Sequence, residues 1–225
     1  MSGLTAESVG ATPADVVAGL SEARERTLAL VASISDPDLE RVHSTLMSPL
    51  VWDLGHIAAF EDLWLVHRYG GRPLLRDDLA DVYDAFETPR AERGDLPFLR
   101  PDAAREYLAE VRERTLAVIE DRGVVDGFVH EMVIRHEHQH NETMLQAIEL
   151  ARLHDYVPAG PRPSLASSNG STRAGSGLDL VEVPAGECFI GAPPNGFAYD
   201  NERPRHRTDV RRYLIGARRS RTPRT

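Results

Sequence analysis

HEHQHNE, residues 136–142, lies inside a stretch over residues 124–153 that reads as one long helix. At about 3.6 residues per turn, His136 and His140 stand one above the other on one face, where two imidazoles can grip a single metal ion. Such a pincer is half of a site. The string also satisfies HExxH, the zinc-protease pattern in which Glu137 would serve as general base. Those proteases take their third ligand from downstream, from a histidine six residues on or from a glutamate on a following helix. Here Gln146 occupies the histidine's place, and beyond Glu149 the helix runs into a Pro/Gly/Ser-rich segment, so the protease reading fails. Upstream, the stretch SPLVWDLGHIAAFEDLW over residues 48–64 puts Trp52, His56 and Phe60 on one helical face. Alone, a histidine in an apolar stripe reads as a core residue. Opposite a pincer on another helix of the same bundle, His56 becomes the candidate third ligand.

The flanking sequence supplies that bundle. Residues 14–33 carry Val17, Leu20, Leu28 and Val31 at helical spacing, and Ser35, Asp36 and Pro37 close the helix. Ser48 and Pro49 read as N-cap and first residue of a second helix that runs to residue 69, before Gly70 and Gly71. A long polar connection covers residues 72–100. A third helix over residues 102–121 stops at Gly123, and the fourth carries the histidine string. The expected fold is therefore mainly α, a four-helix bundle of the kind that builds metal sites from facing side chains. From residue 156 the composition changes. PAGPRPSLASSNGSTRAGSG reads as a linker, and LVEVPAGECFIGA beyond it alternates like a strand and turns at Pro-Ala-Gly. The expected division is a bundle over residues 10–155, a linker over 156–177, an incomplete second domain over 178–216 and an Arg-rich tail over 217–225. The second domain has too few residues for a core of its own.

Composition removes other functions. With 41% hydrophobic and 27% charged residues in 225, the chain reads as globular. No run approaches the roughly eighteen apolar residues of a membrane span, and MSGLTAESVG lacks the basic start and apolar centre of a signal peptide. The expected location is cytoplasmic. The single cysteine, Cys188, excludes an internal disulfide framework and a cysteine zinc site, so metal binding must rest on histidines and carboxylates. The net charge is −9, and because the last fifteen residues hold six arginines and no acid, residues 1–210 carry −15. Such an acidic body argues against nucleic acid as a partner.

Five motifs in order, SPLVWDLGHIAAFEDLW, FETPRAER, HEHQHNETM, VPAGECFIGA and YDNERPRH, resemble the ergothioneine-biosynthesis sulfoxide synthases, also called hercynine oxygenases, over residues 10–215. The resemblance implies a DinB-like bundle followed by a domain similar to the formylglycine-generating enzyme (sulfatase-modifying factor). It implies Fe(II) as cofactor and O2 as co-substrate, joining a thiol sulfur to the imidazole C2 of hercynine. By the same resemblance the iron ligands fall on His56, His136 and His140, and three imidazoles leave positions open for thiolate and oxygen. Gln139 falls on the position that hydrogen-bonds the hercynine imidazole. Arg90 and Arg93 fall on the arginines that hold the carboxylates of γ-glutamylcysteine, a chemistry suited to guanidinium forks. Glu142 is a candidate acceptor for an imidazole N–H behind the ligands. His138, offset by some 200° from each ligand, should face away from the metal.

The C-terminus departs from the family pattern. Residues 213–216 keep a strand, after which ARRSRTPRT reads as a frameshift or truncation. The family's active-site tyrosine and most of its hercynine pocket would follow, so no catalytic acid is expected within these residues. Two alternatives stay open, a DinB-like metal-dependent thiol transferase that needs no second domain and a non-enzymatic metal-binding remnant.

Overall fold

A computed structural model describes residues 12–125, 127–154 and 180–217. The chain divides into two compact units, Met1–Val157 and Pro158–Thr225. The linker expected over 156–177, and nearly all of the expected tail, lie outside the described residues.

The first unit is a four-helix bundle. Helix α1, Pro13–Val31, starts with Pro13 in its first turn and a capping box in which the Asp15 amide donates to Thr12 Oγ1 while the Thr12 amide donates to the Asp15 carboxylate. Ser35 does not close this helix. It caps a short helix, α2, Asp36–Glu40, whose Leu39 is fully buried in the core. Helix α3, Leu50–Glu61, continues without a break as a π-helical stretch, Asp62–Tyr69. The Ser48 side chain does not cap α3, because Pro49 holds the cap position and Ser48 Oγ accepts from Arg93. Helix α4, Pro101–Arg122, ends at Gly123, whose φ of 68° is a conformation that favours glycine. Helix α5, Gly127–Ala151, carries the histidine string.

The apolar faces close into two clusters. One gathers Leu39, Leu50, Leu54, Ile57, Leu108, Val111, Met144 and Ile148, and the other Val16, Leu20, Leu65, Ile119 and Val133. The connection over residues 72–100 is more than a polar link. It contains two 3-10 turns, Asp77–Leu79 and Arg93–Asp95, and buries Leu79 and Tyr83 against Trp52. Its apolar residues are scattered among charged ones with no sustained helical or strand period, so the sequence does not announce this packing.

A buried charge array ties the helices together, with one residue from each of α1, α3, α4 and α5. Arg24 donates to Glu61 at 2.8 Å and to Glu137 at 2.8 Å, and Arg112 forks onto Glu61 at 2.8 and 2.9 Å. The remaining donors reach the carbonyl oxygens of Leu108 and Leu20. Two cations and two anions leave the array neutral, the condition under which buried charge is tolerated. Burial alone would raise the Glu61 carboxyl, but hydrogen bonds and charge from Arg112 and Arg24 outweigh it and hold Glu61 below its ordinary value.

In the second unit, β1, Leu180–Val183, pairs antiparallel with β4, Tyr213–Gly216, and β2, Gly186–Ile190, pairs antiparallel with β3, His206–Val210. The two strands flanking Pro-Ala-Gly do not pair with each other. Each instead meets a later strand, in the register Val181 to Ile215 and Cys188 to Thr208. Val181, Phe189, Ile190, Leu214 and Ile215 are all at least half exposed.

Candidate metal centre

Helix geometry brings three imidazoles to one point. His56 comes from the middle of α3, and His136 and His140 come from successive turns of α5. The ring centroids form a near-equilateral triangle with sides of 4.9, 4.7 and 4.6 Å. His56 Nε2 lies 3.1 Å from His136 Nε2, and one ligand nitrogen from each of the three rings falls within 4.8 Å of the others. Imidazole nitrogens bound at about 2.1 Å to one ion, at an angle near 90°, stand about 3 Å apart.

The other ring nitrogens explain why the Nε2 atoms face inward. His56 Nδ1–H donates to the Tyr83 carbonyl oxygen at 2.7 Å, and His140 Nδ1–H donates to Asp53 Oδ1 at 2.9 Å. In a neutral imidazole these bonds leave the Nε2 lone pairs free for a metal. His136 is held by stacking, with Phe60 parallel to it at 3.6 Å. Burial, and then the neighbouring His140, push His56 down to about 4. Burial, with His140 and His56, also lowers His136 well below its ordinary value. Both rings are therefore neutral at neutral pH, the form that ligates.

Glu137 stands apart from this chemistry although it lies between the two α5 ligands in sequence. It is 1% exposed and faces the interior, bonded to Arg24 and accepting from Thr27 at 2.7 Å. A carboxylate so engaged has no path to a water on the metal, which excludes the HExxH reading on a second ground. His138 also turns away, toward Glu22 at 3.3 Å.

The other residues singled out in the sequence fall as follows. Gln139 is exposed on α5 one turn beyond His136, and among the described residues its amide side chain has no partner. Glu142 is exposed, and the acceptor for His140 Nδ1–H is Asp53. Arg90 is exposed, with one N–H on the Leu46 carbonyl oxygen. Arg93 is buried and donates to Ser48, Thr88 and Ala85 while its guanidinium lies 3.8 Å over Trp52. Sequence reasoning missed Asp53 and the Tyr83 carbonyl. Asp53 had a signal, an acid one turn before a ligand histidine on an apolar face. A main-chain acceptor from a distant loop has none.

Comparison with known proteins assigns a family to the part of the chain that holds the three histidines. The model of the DinB superfamily matches residues 20–144, more than half of the chain. The chain belongs to the DinB superfamily. This DinB chain is also similar to three hercynine oxygenases. It is 40% identical to that of Mycolicibacterium thermoresistibile over 219 residues, 90% of this chain and 45% of the relative. It is 42% identical to that of Mycolicibacterium smegmatis over 210 residues, 88% of this chain and 46% of the relative. The value for Mycobacterium tuberculosis is 40% over 214 residues, 91% of this chain and 48% of the relative. The DinB chain thus spans about half the length of the curated relatives it matches. No helix among its described residues is long and apolar enough to cross a membrane.

Proposed function

We propose that this chain carries the metal-binding part of a sulfoxide synthase that joins the sulfur of γ-glutamylcysteine to the imidazole C2 of hercynine, with Fe(II) and O2, in the cytoplasm. The observation that carries the reading is the convergence of His56, His136 and His140 in a bundle whose relatives are named hercynine oxygenases. In the proposed reaction one C–S bond forms while an S–H and a C–H bond break. The sulfur takes one atom of O2, and the other leaves as water with the two hydrogens.

Iron, when bound, supplies the redox chemistry between oxygen and the thiol. The chain's own residues hold and orient. Tyr83 and Asp53 fix two ligand rings, and Phe60 fixes the third. Arg90, exposed beside the metal-site loop, offers its guanidinium to a substrate carboxylate, and Arg93 has two N–H groups left to assist. Gln139 offers its amide to the hercynine imidazole. The two ladders of the second unit belong to a formylglycine-generating-enzyme-like domain.

Calorimetric titration of γ-glutamylcysteine into the iron(II)-loaded chain tests this reading. Saturable binding should weaken in Arg90→Ala by about 1.5 kcal/mol or more, the scale of a hydrogen bond to a charged group. Absence of saturable binding by the loaded parent chain would refute it. Thiol binding with no oxygen uptake on adding hercynine, in a chain joined to the remaining length of its relatives, would favour the thiol-transferase alternative.

A further inference from the structure

Arg93 is 5% exposed, and no carboxylate pairs with it directly among the described residues. A cation taken out of water without a counter-ion is costly, so its retention there calls for a compensating role. Burial lowers Arg93 from its ordinary value, and only the nearby charge of Asp53 opposes that effect. Asp53 is the carboxylate that holds His140.

The guanidinium also closes a stack. Arg93 lies 3.8 Å over the Trp52 ring, and Trp52 lies parallel to His56, with centroids 4.8 Å apart and planes 11° apart. Trp52 is fully buried, and its indole N–H is fixed on the Val82 carbonyl at 2.9 Å, one residue before the carbonyl that fixes His56. Three bonds anchor the guanidinium plane itself, to Thr88 at 2.9 Å, Ser48 at 2.8 Å and Ala85 at 3.3 Å. Arg93 therefore reaches the ligand His56 through a ring stack. Arg90, three residues earlier in the same loop, bonds instead to the Leu46 carbonyl oxygen.

We propose that Arg93 is a positioning residue of the metal centre, holding His56 through the Trp52 stack, so that metal affinity depends on it before any substrate arrives. The proposal rests on the three-histidine reading of the metal site. It separates the two loop arginines, adding to Arg93 alone a second role behind a metal ligand. A planar guanidinium suits the role, since it stacks on indole and bonds at its edge at once, which an ammonium cannot do.

The test is Co(II) titration of the metal-free chain without thiol, reading affinity and the visible d–d spectrum, with circular dichroism as a fold control. Groups behind metal ligands typically change affinity by about 10–100-fold. Arg93→Gln should weaken Co(II) binding by about tenfold or more and alter the d–d bands, Arg93→Lys should restore little, and Arg90→Gln should match the parent. Ser48→Ala, which removes a single anchor, should shift the bands in the same sense and serves if Arg93→Gln does not fold. Parent-like affinity and spectrum in folded Arg93→Gln, or in Ser48→Ala where only that variant folds, would overturn the proposal. His56→Ala in the same titration separates the levels. If it keeps parent affinity, the metal site itself is misassigned, whereas its loss beside an unchanged Arg93 variant defeats the positioning role alone.

Discussion

Substitution of Glu137 by Gln should destabilise the bundle rather than disable a reaction. The carboxylate is 1% exposed and receives Arg24 Nε at 2.8 Å, Thr27 Oγ at 2.7 Å and Arg112 more distantly at 3.4 Å. An amide keeps one acceptor but turns an N–H group toward the arginines, and the array of two cations and two anions gains a net positive charge. Breaking a buried ion pair by removing one partner costs about 3–5 kcal/mol, and the retained oxygen places this change near the lower end, about 3 kcal/mol. For a unit of this size each kcal/mol moves the melting temperature by about 2–4 °C, so a loss of about 6–12 °C is expected. Differential scanning calorimetry of the metal-free chain reads it directly. Arg24→Met combined with Glu137→Leu should recover part of the loss, because it leaves the Arg112–Glu61 pair intact and neutral. An unchanged melting temperature in Glu137→Gln would refute the structural role assigned to this residue and reopen its reading as a general base.

Three further outcomes follow from the same geometry. Asp53→Asn should lower Co(II) or Fe(II) affinity by about 10–100-fold, since an amide holds the His140 ring in its ligating tautomer less firmly, and equilibrium titration checks this. Gly55→Ala would place a Cβ 2.1 Å from the Tyr83 ring, displacing the residue whose carbonyl holds His56, so melting temperature and metal affinity should both fall. Glu61 is held below its ordinary value of 4.5 in the folded chain. The unfolded chain therefore binds the extra proton first, and the stability from Glu61 is present above about pH 4.5 and lost as pH falls through the depressed folded value. Urea midpoints that stay constant from pH 5.5 to pH 3 would contradict that assignment.

The bundle was legible from apolar residues at helical spacing, as with Val17, Leu20, Leu28 and Val31 in α1, and from the stop at Gly123, which takes a positive φ. The histidine triad was legible for the same reason, since Trp52, His56 and Phe60 repeat at helical spacing and His136 and His140 stand one turn apart. What escaped the reading depends on contacts between distant segments. Tyr83 reaches His56 through a main-chain oxygen, which no residue type announces. Arg93 read, by resemblance alone, as a substrate-binding loop arginine, because nothing in ETPRAER indicates that its guanidinium would be buried against Trp52. Ser35 read as a terminator because a Ser-Asp-Pro sequence serves equally to stop one helix and to cap the next. The strand pairing in the second unit reversed the local expectation for a similar reason, since the turn at Pro-Ala-Gly separates strands whose partners come some twenty residues or more later.

The central claim is that His56, His136 and His140 together hold one metal ion. Anaerobic equilibrium titration of iron(II) into the parent chain and into His56→Ala tests it most directly. One equivalent should bind the parent, and two remaining imidazoles on α5 should fail to retain stoichiometric iron against buffer. A His56→Ala chain that binds one iron as tightly as the parent would contradict the account.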